Sequence, residues 1–173
     1  MGQLGAGADR DRRTVNEDLP APMAELADDF NALEPKDRLQ LLLELSDELP
    51  PLPQRYADEP GKLEQVHECQ SPLFLAVEVD DQERVRLFFQ APPEAPTTRG
   101  FAGILHAGLD GQPARAVLDV PDDAAWRFGL AEAVSPLRMR GMLAMLSRIK
   151  RQVRERTSGM PVPDHTGEVR EHL

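Results

Sequence analysis

The chain has 173 residues, of which 40% are hydrophobic and only 5% aromatic, and its formal net charge is -10. A chain of this length suits a single domain whose core is built mainly from aliphatic side chains. The negative charge argues against nucleic-acid binding, because a phosphate backbone requires a surplus of lysine and arginine on the contacting face.

Both ends of the chain are predicted to be disordered tails. Residues 1–20 are rich in Gly, Asp and Arg, and residues 157–173 have a similar character. The N-terminal segment lacks the continuous apolar stretch of a secretory signal, and no apolar run reaches the roughly 20 residues that span a bilayer. We therefore expect a folded domain over residues 21–156, located in the cytoplasm and without membrane contact.

Two amphipathic helices are predicted to open the domain. From Pro22 to Leu33, apolar residues recur at intervals of three and four, as on one face of a helix. Pro35 suits the first turn of a second helix, because its missing N–H would have no partner there. Prolines at positions 50, 51 and 53 end this helix. Its buried side is predicted to consist of Leu39, Leu42, Leu43, Ser46 and Leu49.

A polar loop and a β-hairpin are predicted next. Residues 54–68 are polar and form the loop that leads to Cys69. Residues 73–79 alternate as the two faces of a strand do, and the same alternation resumes at residues 85–89 after a turn at 80–83. The sequence therefore predicts an antiparallel hairpin that begins beside the cysteine.

Three short elements are predicted between the hairpin and the last helix. Residues 97–108 suit a helix, which its glycines weaken, and residues 115–120 suit a third, short extended segment. An aspartate at position 122 or 123 can cap a further helix that runs to residue 131 and buries Trp126 and Leu130.

The clearest helix start in the chain is Ser135-Pro136. The serine supplies a capping hydroxyl and the proline occupies the first helical position of a run through about Arg154. Helices that flank a small antiparallel sheet make the predicted fold class α+β. Acidic residues crowd the first half and arginines the last helix, which fits two solvated helix faces better than a dedicated docking surface.

Cys69, the only cysteine, is the candidate reactive residue. A lone cysteine is more often a small buried hydrophobe, but a position at the end of a polar loop makes a nucleophile about equally expected. Because the thiolate is the nucleophile, Glu68 should oppose its ionisation, whereas His67 could support it. No disulfide can form within the chain.

Other chemistries find little support in the sequence. One cysteine and four scattered histidines do not supply the ligands of a structural zinc or an iron–sulfur cluster, so no metal site is expected. A cysteine hydrolase would need a converging histidine, and His106 is expected instead on a helix face. The motifs of a P-loop, a dinucleotide site or a serine hydrolase are missing.

Two segments of the chain resemble signatures of the SufE family of sulfur-acceptor proteins. Cys69-Gln70-Ser71 is similar to the Gly-Cys-x-Ser segment of that family. Ser135-Pro136-x-Arg138-x-x-Gly141-x-x-Ala144-Met145 is similar to the signature of its closing helix. The resemblance spans roughly residues 22–156, so the domain at 21–156 is identified as SufE-like.

The resemblance implies a fold shared with IscU-type scaffold proteins, a three-stranded antiparallel sheet packed with helices. It implies that Cys69 takes persulfide sulfur from a SufS-type cysteine desulfurase, stimulates that enzyme, and passes the sulfur to an iron–sulfur assembly complex of SufBCD type. Pyridoxal phosphate would belong to the desulfurase. This chain would hold no cofactor beyond a transient cysteine persulfide and would show no independent turnover.

The resemblance also gives roles to residues around the cysteine. Gln70, Ser71 and Arg138 are expected to bind the partner or support the cysteine loop. Arg138 could pair with an acidic loop residue such as Glu94, or it could stabilise anionic sulfur or dock the partner. Gly141 is expected to permit close helix packing.

Three positions depart from the family pattern. Glu68 stands where the family usually has glycine, and this change restricts the backbone before the cysteine. Pro72 and Phe74 replace more typical residues, which include a tryptophan.

Two alternative functions remain open from the sequence. One is a non-catalytic binding module that regulates a desulfurase without carrying sulfur, and a buried, unreactive Cys69 would favour it. The other is an independent thiol enzyme, which would need a depressed thiol pKa.

Overall fold

The computed structural model describes residues 16–157, and the expected tail segments 1–15 and 158–173 lie outside the described residues. Residues 16–20, which the sequence placed in the N-terminal tail, are packed on the domain. Leu19 is buried, and Asp18 pairs with Arg127 at 2.6 Å. The packed chain therefore begins before the predicted boundary at residue 21.

Six α-helices and one antiparallel sheet make up the described chain and confirm the predicted α+β class. The helices are α1 (Ala21–Asn31), α2 (Pro35–Glu48), α3 (Gln54–Asp58), α4 (Pro96–Leu109), α5 (Ala114–Leu118) and α6 (Pro136–Thr157). The strands are β1 (Glu64–Gln65), β2 (Phe74–Val79) and β3 (Val85–Gln90), in the order β1-β2-β3. No helix within residues 16–157 is long and apolar enough to cross a bilayer.

The predicted hairpin is present as β2 and β3, which pair from Val79 with Val85 to Phe74 with Gln90. The third strand was predicted wrongly at residues 115–120, where α5 lies instead. Ala114 and Val117 are both buried, and a spacing of three places them on one helical face. The actual third strand, β1, pairs with the other edge of β2 inside the segment predicted to be a loop.

The segment before the cysteine is more ordered than its polar composition predicted. It contains α3 and a short 3-10 turn at Pro60–Lys62 in addition to β1. Tyr56 and Leu63 are buried against Ala76 on the face of the sheet that looks away from the main core. Tyr56 and Leu63 are two apolar anchors of this segment, although they produce no periodic pattern.

Helix α4 packs against α1, α2, α6 and β3. Its glycines, expected to weaken the helix, allow α2 to approach closely. A Cβ at Gly100 would lie 2.6 Å from Leu42, and one at Gly103 would lie 2.4 Å from the Leu45 carbonyl oxygen. The cost of glycine in a helix is therefore offset by the packing of two helices at short range.

The buried side of α2 differs from the predicted one. Leu42 and Ser46 are buried as expected, whereas Leu39 and Leu43 are 38% and 39% exposed. Arg38 occupies the buried face instead, because its guanidinium donates to the carbonyl oxygens of Phe30 at 2.9 Å and Gly129 at 2.8 Å. The face of α2 that is buried is therefore the one that carries Arg38, and it is not the most apolar face of the helix.

The helix predicted near residues 122–131 is replaced by two 3-10 helices, Ala124–Phe128 and Leu130–Glu132. Gly129 separates them with a φ of 66°, a left-handed conformation that favours glycine. Leu130 is buried as predicted, but Trp126 is 45% exposed and Phe128 takes the core position. The tighter winding of the 3-10 helix, three residues per turn instead of 3.6, changes which side chains share a face and leaves the indole on the outer side.

Helix α6 begins where Ser135-Pro136 predicted. The Ser135 hydroxyl accepts a hydrogen bond from the backbone N–H of Arg138 at 3.3 Å, as a cap does. Along its length α6 packs on β2 and α4, and Gln152 accepts a hydrogen bond from the Val77 N–H at 3.0 Å. The first half of α6 thereby comes to lie against the connection between β1 and β2.

Candidate functional site

Cys69 lies in the connection between β1 and β2, in the segment 67–72 that we call the Cys69 loop. Val66 and Leu73 flank this loop, are both buried, and are joined by a hydrogen bond from the Val66 N–H to the Leu73 carbonyl at 2.8 Å. Within the loop, the Cys69 N–H donates to the Val66 carbonyl at 3.2 Å. The buried residues Val66 and Leu73 thus fix the two ends of the loop, and the polar loop between them lies at the surface.

The half-buried thiol of Cys69 rests on helix α6. A Cβ added to Gly141 would lie 3.0 Å from the Cys69 Sγ and 3.5 Å from its Cα. Glycine at this position is therefore what lets the sulfur approach the helix backbone. The sequence predicted close packing at Gly141, and the partner in that packing is the cysteine itself.

A small pocket adjoins the sulfur, and we call it the Cys69 pocket. Its volume is about 10 Å³, which is close to the space that one water molecule needs. The pocket therefore has room for about one additional atom next to Sγ. Its lining combines the loop, the start of α4 and the start of α6: Glu68, Cys69, Gln70, Thr98, Phe101, Arg138 and Gly141.

The surroundings of Cys69 keep its thiol protonated. The pKa of Cys69 is raised from its usual 9.0 to about 11, first by burial and then by the negative charge of Glu68, while the positive charge of Arg148 acts in the opposite direction. The predicted opposition from Glu68 is thus present. The support that His67 was expected to give to the thiolate is absent: His67 is exposed and does not line the pocket.

Glu68 joins the Cys69 loop to α6. Its carboxylate pairs with Arg148 at 3.0 Å, and the same guanidinium pairs with Glu64 of β1 at 3.2 Å. Glu64 is also held by Arg151 and Gln152. Burial raises the pKa of Glu64, but the hydrogen bonds and charges of these neighbours outweigh it and hold the pKa below its usual value.

The other predicted site residues are divided by the structure. Arg138 and Gln70 line the Cys69 pocket, whereas Ser71 does not. Arg138 is exposed and forms no ion pair with Glu94 or with any other residue between 16 and 157. The alternative in which Arg138 pairs with Glu94 is therefore wrong for this structure. The partner-binding and loop-supporting roles of Gln70, Ser71 and Arg138 stay predictions.

An open groove lies on the outer side of the Cys69 loop. It has a volume of about 630 Å³, and we call it the outer groove. Leu137 is 45% exposed there. Glu68 lines both the outer groove and the Cys69 pocket, so it forms the wall between them. The full lining is Glu68, Leu137, Arg140, Leu143 and Ala144.

His106 is not part of the site. It lies near the end of α4 and pairs with Asp110 at 3.8 Å, while burial lowers its pKa. Residues 16–157 contain no group of three or more His, Cys, Asp or Glu side chains placed to hold a metal ion.

Arg148 and Thr98 are site residues that sequence reasoning missed. Arg148 follows Gly141 by seven residues, which is two helical turns and therefore the same face of α6. That spacing was visible in the sequence, but it carries meaning only once the cysteine is known to rest on Gly141. Thr98 carried no comparable signal, because it reaches the pocket through the long-range packing of α4.

Comparison with known proteins points to one family. The family model described as SufE, Fe-S metabolism associated domain, matches residues 24–153. An uncharacterized SufE-like protein of Mycobacterium tuberculosis is 57% identical over 142 residues, which make up 82% of this chain and 98% of that protein. SufE-like protein 1 of Arabidopsis thaliana, described as chloroplastic/mitochondrial, is 28% identical over 137 residues, 79% of this chain and 36% of its own length.

A solved structure agrees with these sequence matches. The solution structure of a hypothetical protein from Thermus thermophilus superimposes with a TM-score of 0.72 at 41% sequence identity. The alignment covers 82% of this chain and 99% of that one. The α+β architecture described above is thus shared across nearly the whole of a separately solved domain.

Proposed function

The chain belongs to the SufE family of proteins associated with iron–sulfur metabolism, and on this premise we propose that it carries sulfur on Cys69. One observation carries the proposal: the only cysteine lies at a surface loop, with its sulfur beside a pocket that has room for about one more atom. A sulfane sulfur bound to Sγ is an addition of that size. The pocket supports a role in sheltering this bound sulfur after it leaves the donor protein and before it reaches the acceptor.

The proposed reaction is the transfer of one sulfur atom between two cysteines. The Cys69 thiolate attacks the outer sulfur of a persulfide on a SufS-type desulfurase, so that an S–S bond forms at Sγ. The S–S bond of the donor breaks, its cysteine leaves as a thiolate, and that thiolate takes up a proton. The desulfurase cysteine is thereby emptied for its next turnover, which accounts for the proposed stimulation.

The resting state of Cys69 agrees with a carrier that depends on its partner. A thiol whose pKa is about 11 is almost wholly protonated at neutral pH, and the loop keeps it half-buried. Moving the loop into the active site of the desulfurase would expose the thiol and remove the burial that raises its pKa. This state argues against an independent thiol enzyme, which would need a depressed thiol pKa.

The remaining parts of the proposal concern partners and compartment. We propose a SufS-type desulfurase as donor and a SufBCD-type assembly complex as acceptor, both in the cytoplasm. Pyridoxal phosphate would reside in the desulfurase, and this chain would contribute only its transient persulfide. Arg138 and Gln70 line the pocket, so they are the residues proposed to contact the bound sulfur or the partner.

The proposal is tested by mixing the protein with the desulfurase and cysteine and measuring intact mass. Wild type should gain the mass of one sulfur atom, and a reducing thiol should remove it. Cys69→Ser should gain none. A variant that still gains sulfur, or a wild type that gains none, would contradict the proposal.

A second candidate function is supported by the protonated, half-buried state of Cys69. In it the chain binds a desulfurase and regulates it without accepting sulfur. Cys69→Ser would then stimulate the desulfurase as well as wild type does, whereas a sulfur carrier loses its stimulation with the thiol.

A further inference from the structure

Glu68 is the only side chain of the Cys69 loop that makes a polar contact with the rest of the described structure. The polar side chains of His67, Gln70 and Ser71 form no hydrogen bond or ion pair with any residue between 16 and 157. The loop is otherwise held by its buried anchors and by the contact of Sγ with Gly141. A single ion pair therefore ties the tip of the loop to the helix.

Arg148 is the fixed half of this ion pair. Its side chain is only 20% exposed, and its Nε pairs with Glu64 of β1 at 3.2 Å. Its Nη1 donates to the Ala144 carbonyl at 3.5 Å. Glu68 is 46% exposed and belongs to a surface turn. Breaking the pair would therefore release the loop and leave Arg148 in place.

We infer that Arg148 is a positioning residue for sulfur transfer, because its ion pair with Glu68 holds the Cys69 loop closed on Gly141 until a partner displaces Glu68. This inference rests on the proposed function of Cys69 and adds its regulation. A partner side chain seated in the outer groove touches Glu68 directly, since Glu68 is the wall shared with the Cys69 pocket. The groove therefore couples docking to release of the thiol.

The ion pair has the strength that such a closure needs. Partly exposed ion pairs shift an equilibrium by about two- to five-fold, which a docking partner easily overcomes. A stronger tie would hold the cysteine closed even in the complex. Without any tie, the thiol would be exposed to other reactants whenever no partner is bound.

Electrostatics alone makes the opposite prediction for Arg148. Its positive charge lowers the pKa of the Cys69 thiol, whereas Glu68 raises it. If the loop stayed in place, Arg148→Gln would leave less thiolate and alkylation would become slower. If the loop opens, the same variant reacts faster because the sulfur becomes accessible. The sign of the change separates the two accounts.

The experiment measures the rate of Cys69 alkylation by iodoacetamide in the protein alone, across a range of pH. Arg148→Gln should react about two- to five-fold faster than wild type, and Arg148→Lys, which keeps the charge, should stay near the wild-type rate. Arg154→Gln is the matched control, because Arg154 is exposed on the same helix but, unlike Arg148, forms no ion pair with a residue of the Cys69 loop. It should leave the rate unchanged.

A double-mutant cycle completes the test. In the Glu68→Gln background the ion pair is already broken, so adding Arg148→Gln should slow alkylation through charge alone. The inference is supported if Arg148→Gln speeds alkylation when Glu68 is present and slows it in the Glu68→Gln background. Slower or unchanged alkylation in Arg148→Gln with Glu68 present overturns it.

The cycle stays decisive if one variant is damaged. Glu64 retains Arg151 and Gln152 when Arg148 is replaced, so the fold is expected to survive, and circular dichroism checks it. If Arg148→Gln does not fold, Glu68→Gln in low and high salt replaces it: salt should speed alkylation of wild type and not of the variant, and an equal response overturns the inference. No desulfurase is used, so the proposed function can fail separately in the mass measurement.

Discussion

The resting thiol of Cys69 should be far less reactive than that of an unfolded chain. The perturbation is unfolding in urea, which removes both the burial and the fixed position of Glu68. The structure raises the pKa of Cys69 from 9.0 to about 11. Each pKa unit changes the thiolate fraction tenfold at a pH below both values, so the native protein holds about 100-fold less thiolate at pH 7.

The assay follows alkylation by iodoacetamide with intact mass, in native buffer and in urea, from pH 7 upward. The native rate should rise with a midpoint near pH 11, and the unfolded rate with a midpoint near 9. Correction for the intrinsic effect of urea comes from a free cysteine peptide. A native midpoint at or below the unfolded one would refute the description of Cys69 as a burial-suppressed thiol.

The same pKa shift predicts how stability depends on pH. The native protein binds the Cys69 proton more tightly than the unfolded chain does, so this stabilisation is complete below about pH 9 and disappears as the pH approaches 11. Tyr56, whose pKa burial raises to about 12, adds a similar loss at higher pH. Between pH 9 and pH 11, Cys69→Ser should therefore lose less unfolding free energy than wild type does.

Three substitutions test other parts of the account. Gly141→Ala places a Cβ 3.0 Å from the Cys69 Sγ and should expose the thiol to alkylation; the unfolding free energy should change by only about 1 kcal/mol, because the gain in helix propensity offsets part of the overpacking. Unchanged alkylation would contradict the contact. Arg38→Met removes a buried and a part-buried hydrogen bond to carbonyl oxygens, together with the ion pair to Glu132, and should cost about 2–4 kcal/mol in urea unfolding; a loss below about 0.5 kcal/mol would be inconsistent with this anchor. Arg138→Ala should weaken stimulation of the desulfurase with an unchanged circular dichroism spectrum, and full stimulation across a concentration series would remove Arg138 from the site.

Local signals in the sequence predicted those elements that depend on local physics. Ser135-Pro136 marked the start of α6 because the cap and the proline act within one helical turn. The hairpin of β2 and β3 followed from alternation, which reflects a sheet with one face on the main core. Residues 115–120 were assigned to a strand wrongly, because so short an apolar run does not separate a strand from a helix.

Long-range packing determined the features that the sequence did not predict. Strand β1 has two polar residues, and its position comes from pairing with β2 and from the arginines that hold Glu64. The outward turn of Trp126 depends on the 3-10 helices that replace the predicted α-helix. Neither cause leaves a pattern within a short window of the chain.

The site shows the same division. Cys69 could be singled out because it is the only thiol, and the family resemblance drew attention to Gly141. That the two residues touch, and that Arg148 faces the same loop from the next turns of α6, required the packing of that helix across the connection from β1 to β2.

The central claim is that Cys69 accepts sulfur, and the mass of the protein after reaction with a SufS-type desulfurase and cysteine tests it most directly. Wild type is predicted to gain one sulfur atom that a reducing thiol removes, and Cys69→Ser to gain none. The absence of any added sulfur on the wild type, under conditions where the desulfurase is active, would contradict the claim.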